Sequence, residues 1–167
     1  MKRVVMFGLI LVLAAAVLTP VVCAQFDFFG NPLLGQDAPD MVLPDIEGKT
    51  QSLAELRDGR PAILFFWATW CPHCRTQIKE LNAQAQTFAE QGIAVILVDL
   101  AEEEGPVAAY LKQNNITFPA LLDQTGTAAK EYAVVGVPTF YYLNEDGEIM
   151  AVEHQLAEDY SALLGME

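Results

Sequence analysis

The stretch Pro61 to Cys74, "PAILFFWATWCPHC", leaves a chain few ways to fold. Its first seven residues are continuously apolar and rich in aromatics, the pattern of a strand buried on both faces. From Pro72 the pattern changes. Cys74, Ile78, Leu81, Ala85 and Phe88 recur at intervals of three or four, which predicts one helix from Pro72 to about Gln91. Pro72 suits its first turn and Gly92 its end. A buried strand therefore runs almost directly into a helix, and Cys71 stands at the join.

At that join the unpaired N–H groups of the first turn and the positive end of the helix dipole point at the Cys71 sulfur. Both favour thiolate over thiol. Cys74 lies one turn further on, on the apolar face, within reach of Cys71 but shielded from water. An exposed thiolate to attack a disulfide and a sheltered thiol to resolve the mixed disulfide suit thiol–disulfide exchange. Other uses of the pair fit less well. Zinc takes four ligands, and His73, pinned between the cysteines, and His154 are the only histidines. A staple for stability is unneeded, because 167 residues can bury a core without one. No metal and no cofactor is expected.

The rest of the chain supplies more strands and helices. Met41–Leu43 reads as a short strand, Glu47-Gly48 as a turn and Ser52 as the start of a short helix. "IAVILVDL" (93–100) is a second fully buried strand and Pro106 to Gln113 a second helix. "FPALLD" is a short extended piece and Thr127 to Tyr132 a short helix. "TFYYL" and "EIMAVEH" flank the hairpin turn Asn144–Gly147, and Leu156 to Leu164 is a terminal helix. A βαβ unit followed by a hairpin predicts an α/β fold, a central mixed sheet with helices on both faces. Tyr141 and Tyr142 should pack on opposite faces, Trp67 should be core, and His154 should be a surface residue.

The beginning of the chain is of another kind. Lys2-Arg3 precedes an unbroken apolar run, Val4 to Leu18, and Thr19-Pro20 leads into "VVCAQ". Residues 1–24 are expected to be a signal peptide cleaved after Ala24. Residues 4–22 are also long enough to remain as an uncleaved anchor that tethers the protein to a membrane, and Cys23 would carry the lipid of a lipoprotein. Residues 25–34 form an irregular lead-in and residues 35–167 the folded domain. Export to a periplasmic or other extracytoplasmic space would leave Cys71 and Cys74 alone where disulfides persist. Charge narrows the partners. Lys and Arg number 9 against 22 Asp and Glu, and 7 against 22 without Lys2 and Arg3. With no basic cluster to hold phosphates, nucleic acid is excluded as a partner.

"FFWATWCPHC" followed at a distance by "VGVPTFYYL" resembles the thioredoxin superfamily. The entry segment "GQDAPDMVLPDIEGKTQSLAEL" is similar to the exported TlpA/ResA-like thiol-disulfide oxidoreductases. The resemblance spans Gly35 to Leu164. It implies a thioredoxin fold with an N-terminal extension, with Cys71 as nucleophile and Cys74 as resolving thiol. Its partners would be protein thiols and disulfides together with a membrane or exported electron partner. It also implies that Pro138 is cis and faces the disulfide. Pro138 has no N–H to crowd the sulfurs, and the Val137 backbone would be free to pair with an extended substrate. Trp70 would form part of the rim that meets substrate.

The chain departs from familiar patterns in two places. Thioredoxins proper carry a buried Asp six residues before the first cysteine, where this chain has Phe65. In TlpA/ResA-like proteins a glutamate after the second core strand serves the resolving thiol, and Glu102 matches its spacing. The second departure is the pair Pro72-His73, which resembles DsbA-type oxidases rather than reductases. An imidazole beside the Cys71 thiolate stabilises the reduced form and makes the disulfide more oxidising. The 62 residues between Cys74 and Val137 leave little room for the helical insertion of DsbA enzymes. A peroxiredoxin-like peroxidase would need a proline shortly before Thr69, which "FFWAT" lacks. A copper-handling module would space its cysteines one residue wider.

Overall fold

The computed structural model describes residues 30–166. The expected leader and the first residues of the lead-in lie outside that range. Seven strands and six helices follow in the order β1 (Val42–Pro44), β2 (Thr50–Ser52), α1 (Leu53–Arg57), β3 (Ala62–Trp67), α2 (Pro72–Ala83), α3 (Ala85–Glu90), β4 (Ala94–Leu100), α4 (Glu104–Gln113), β5 (Ala120–Asp123), α5 (Thr127–Glu131), β6 (Thr139–Leu143), β7 (Ile149–Glu153) and α6 (Tyr160–Leu163). The main sheet runs β5-β4-β3-β6-β7, and β1-β2 is a separate hairpin. Strands β3, β4 and β5 are parallel, while β6 pairs antiparallel with both β3 and the edge strand β7.

The central strands are buried on both sides because each face is covered. Ile63, Phe65 and Trp67 of β3 share one layer with Val95 and Leu97 of β4, Cys74, Ile78 and Leu81 of α2, and Val107 and Leu111 of α4. Ala62, Leu64 and Phe66 face the other layer with Leu53 of α1 and Ala128 of α5. Tyr142 belongs to the first layer and Tyr141 to the second, both fully buried, as strand alternation requires.

Two helical expectations need correction. The helix predicted over 72–91 is two helices, α2 and α3, broken at Gln84 with φ −104° and ψ 6°. The Gln84 N–H turns to the Leu81 carbonyl, and Phe88 still reaches the core from α3. The apolar period carries across the break, so periodicity alone does not reveal it. The terminal helix is one turn, Tyr160–Leu163, rather than the span from Leu156. Tyr160 and Leu164 pack into the first layer, while the Leu156 N–H is held by the Gln77 side chain at 2.5 Å.

The described end of the lead-in is docked. Asn31 Nδ2 donates to the Tyr132 carbonyl at 3.0 Å and to the Tyr141 hydroxyl at 2.6 Å. On the hairpin, Gly147 at φ 95° lies against Arg57, whose Nη2 donates to the carbonyls of Asn144 and Glu145. The positive φ favours glycine, and a Cβ there would meet Arg57 Nη1 at 2.5 Å and displace the guanidinium. Among the described residues no helix is long and apolar enough to cross a membrane.

Candidate active site

Cys71 is the N-cap of α2, with an extended backbone of φ −84° and ψ 112°. Pro72 occupies the first turn, where its missing N–H costs no hydrogen bond. The Cys71 sulfur accepts the Cys74 N–H at 3.1 Å, so a free amide of the helix start is aimed at it, as the strand-into-helix reading requires. Cys71 and Cys74 are joined by a disulfide, with their Cα atoms 5.2 Å apart. Cys71 is 5% exposed and Cys74 0%. The asymmetry has the expected sign, but Cys71 is far less open than expected. In the disulfide its sulfur is turned inward to Cys74 and lies 3.9 Å from the Val137 carbonyl oxygen.

What stands open is the rim. Trp70 is 66% exposed, a large apolar surface immediately before Cys71. His73 is exposed, and with Thr76, Gln77, Pro138, His154 and Gln155 it lines a cleft of about 210 Å³. The Val137–Pro138 peptide is cis, in agreement with the resemblance. His154 is on the surface, yet it has a definite place there. Its Nδ1 lies 3.0 Å from the Pro138 carbonyl and 3.3 Å from Thr139 Oγ1. A carbonyl only accepts, so Nδ1 carries the proton in this arrangement. The Thr139 hydroxyl in turn donates to the Gly136 carbonyl at 2.7 Å. Sequence reasoning missed this contact, which joins the far strand to the Pro138 loop.

Glu102 lies just beyond β4, where Ala101 adopts a left-handed backbone with φ 61° and turns the chain sharply. Its Oε2 accepts the Thr69 N–H and its Oε1 the Thr69 hydroxyl, both at 2.6 Å. The carboxylate thus clamps the short loop between β3 and Cys71.

Phe65, at the position where thioredoxins carry Asp, is fully buried and stacked on Phe140 with ring centroids 4.3 Å apart. The buried acid lies elsewhere. Asp99 near the end of β4 is 0% exposed, and no hydrogen bond of good geometry reaches its oxygens, beside which lie the Glu102 backbone and carboxyl. Burial first, and then the neighbouring Glu102 side chain, push its pKa up to about 8. The one available signal was an acid interrupting an otherwise apolar strand. Among the described residues, no group of three or more His, Cys, Asp or Glu side chains is arranged to hold a metal ion.

A redox-active cysteine pair at the start of a helix, on a mixed sheet of this order, defines the class: thioredoxin-fold enzymes that exchange disulfides with thiols. Comparison with known proteins agrees. The profile of the AhpC/TSA family matches residues 34–152. The thiol-disulfide oxidoreductase ResA of Bacillus subtilis is 31% identical over 145 residues, covering 87% of this chain and 80% of that protein. ResA of Bacillus thuringiensis is 32% identical, covering 70% and 67%. The crystal structure of a thiol:disulfide interchange protein DsbE from Chlorobium tepidum superposes with a TM-score of 0.69 at 28% identity, covering 78% of this chain and 92% of that one. StoA from Bacillus subtilis gives a TM-score of 0.62 at 27% identity, covering 77% and 96%. The chain belongs to the AhpC/TSA family and is a thiol-disulfide oxidoreductase of the ResA/DsbE type.

Proposed function

We propose that this enzyme is exported and acts outside the cytoplasm as a TlpA-type reductase of protein disulfides, with Cys71 as nucleophile and Cys74 as resolving thiol. The observation that carries the reading is the placement of the two sulfurs. Cys71 receives an amide of the helix start and retains the only exposed edge of the pair, while Cys74 is enclosed. Once an electron partner has reduced the pair, the Cys71 thiolate attacks one sulfur of a client disulfide and expels the other as a thiolate. Cys74, as thiolate, then attacks Cys71 Sγ, and the remaining client sulfur leaves. The client comes away with two thiols and the enzyme with the Cys71–Cys74 bond.

In this reading Trp70 and the cleft beside Pro138 meet the client, and the Val137 backbone pairs with an extended client segment. Glu102 acts as a positioning residue through Thr69. Residues 1–24 direct export, with 4–22 serving as the tether if they are retained.

Trapping with Cys74→Ala tests the assignment. That variant is expected to accumulate mixed disulfides through Cys71, identifiable by mass spectrometry. The same yield from Cys71→Ala would contradict it. The Pro72-His73 pair bears on the direction of electron flow, since imidazole near the thiolate stabilises the reduced form. Redox titration is expected to give a potential above about −270 mV, the thioredoxin value. A potential at or below that value would remove the role given to His73.

A further inference from the structure

We propose that Asp99 is the proton-exchange partner of the Cys74 sulfur, a role that rests on the disulfide-exchange reading above. Strand β4 lies parallel to β3 with Asp99 opposite Trp67. Val95 and Leu97 of β4 face the layer that contains Cys74, Ile78 and Leu81 of α2. Asp99 is two residues beyond Leu97, so its side chain enters the same layer. Phe65 pairs with Leu97 in that register. Asp99 is thus one strand over and two residues further toward the cysteine end than the position thioredoxins use. Two residues advance a strand by about 7 Å.

Asp99 is poorly partnered. Only the backbone and carboxyl of Glu102 act on its oxygens, neither with good hydrogen-bond geometry, and the Trp67 Nε1 and the Tyr110 hydroxyl in the same layer have no partner. The Trp67 and Tyr110 rings lie 5.4 Å apart, Trp67 being the residue opposite Asp99. A buried carboxyl without a partner is costly, and fold-holding acids are normally hydrogen-bonded. Glu102, the neighbouring acid, binds Thr69 through both carboxylate oxygens and also acts on Asp99. The titratable group acting on Asp99 is Glu102 on the turn after β4; Tyr110 of α4, with Arg75 of α2 acting on it, and Cys74 belong to the layer that this face of β4 enters. Strands β3 and β5 present Trp67 and Leu122. The elevated pKa keeps Asp99 largely protonated at neutral pH while the disulfide is closed.

When a thiolate attacks Cys71 Sγ, the Cys71–Cys74 bond breaks and Cys74 departs as an anion into a dry layer. Asp99 gives it a proton, leaving a carboxylate and a neutral thiol. In the opposite direction the Asp99 carboxylate takes the proton from the Cys74 thiol. The resulting thiolate attacks Cys71 Sγ in the mixed disulfide, and the client sulfur leaves with the bonding electron pair. Proton and electrons balance within the pair and the client.

The test is stopped-flow reaction of the reduced, full-length protein with the chromogenic disulfide dithiobis(nitrobenzoate). Attack by Cys71 releases one coloured thiolate and resolution by Cys74 a second. Asp99→Asn is expected to slow the second release at least about tenfold at neutral pH, to change the first less than about twofold, and to flatten the pH profile of the second; Asp99→Glu should recover part of it. An unchanged second phase with an unchanged pH profile overturns the proposal and leaves disulfide exchange standing. Failure of the wild-type protein to give a first release overturns exchange itself. Carboxyl NMR of the wild-type protein supplies a readout independent of any variant. The Asp99 titration should shift between the disulfide and dithiol forms, and an identical titration in both also overturns the proposal.

Discussion

Cys71→Ser is expected to lower the rate of disulfide reduction at least about a thousandfold, the scale of loss when an enzyme's nucleophile is removed. The reason is chemical. The amide at 3.1 Å and the helix start stabilise an anion, but a serine hydroxyl titrates far above any working pH and stays neutral. Cys74→Ser is expected to behave differently. Its Cys71 still attacks, so one client sulfur is captured at a rate within about tenfold of wild type, but turnover stops at the mixed disulfide. The fold should survive both changes, since the layer around Cys74 is filled by Ile78, Leu81 and Trp67 regardless of the disulfide. Single-turnover and steady-state assays on one client disulfide separate the two. Equal loss of the first attack in both variants would mean that Cys71 and Cys74 do not have distinct roles.

Much of this was legible in the sequence where one local pattern admits one packing. The run from Pro61 to Trp67 could only be a doubly covered strand, and β3 is buried at every position from Ala62 to Trp67. Cys74, Ile78 and Leu81 fall on one face because the helix period places them there, and all three are fully enclosed. Positions set by tertiary contact were not legible. His154 is sixteen residues from Pro138 along the chain, and only the antiparallel pairing of β6 with β7 brings its ring to the Pro138 carbonyl. Glu102 was singled out through the family resemblance, but its engagement of Thr69 depends on a left-handed turn at Ala101, a residue with no local preference for one. The small exposure of Cys71 follows from the disulfide and the Val137 carbonyl over it, which no local pattern encodes. Asp99 is the clearest case. "IAVILVDL" was legible as a fully buried strand, but the acid within it was not singled out, and only its register beside Trp67 shows which layer it enters.

That covered acid should leave a mark on stability. Asp99 has a folded pKa of about 8 in the disulfide form, against about 3.9 for an unfolded Asp. A group raised in this way contributes stability that is fully present below the unfolded value and is lost as pH rises through the folded one. The window is therefore about pH 4 to about pH 8, and within it the loss runs at about 1.4 kcal/mol per pH unit. From about pH 5 to about pH 7.5, Asp99 is expected to destabilise the oxidised protein by about 3 kcal/mol. Asp99→Asn removes this dependence. The amide is also buried, but its cost does not change with pH, so the difference between wild type and variant isolates the carboxyl. Asp45 supplies the opposite sign. Burial works against its charge, but the N–H groups of Glu47 and Lys49 and the Gln51 side chain prevail and hold its pKa below the ordinary value. Its contribution is lost only as pH falls through that lowered value, outside the Asp99 window. Urea unfolding of the oxidised proteins at several pH values measures both slopes. A difference between wild type and Asp99→Asn that stays flat across this window would mean that Asp99 ionises in the fold as readily as in the open chain.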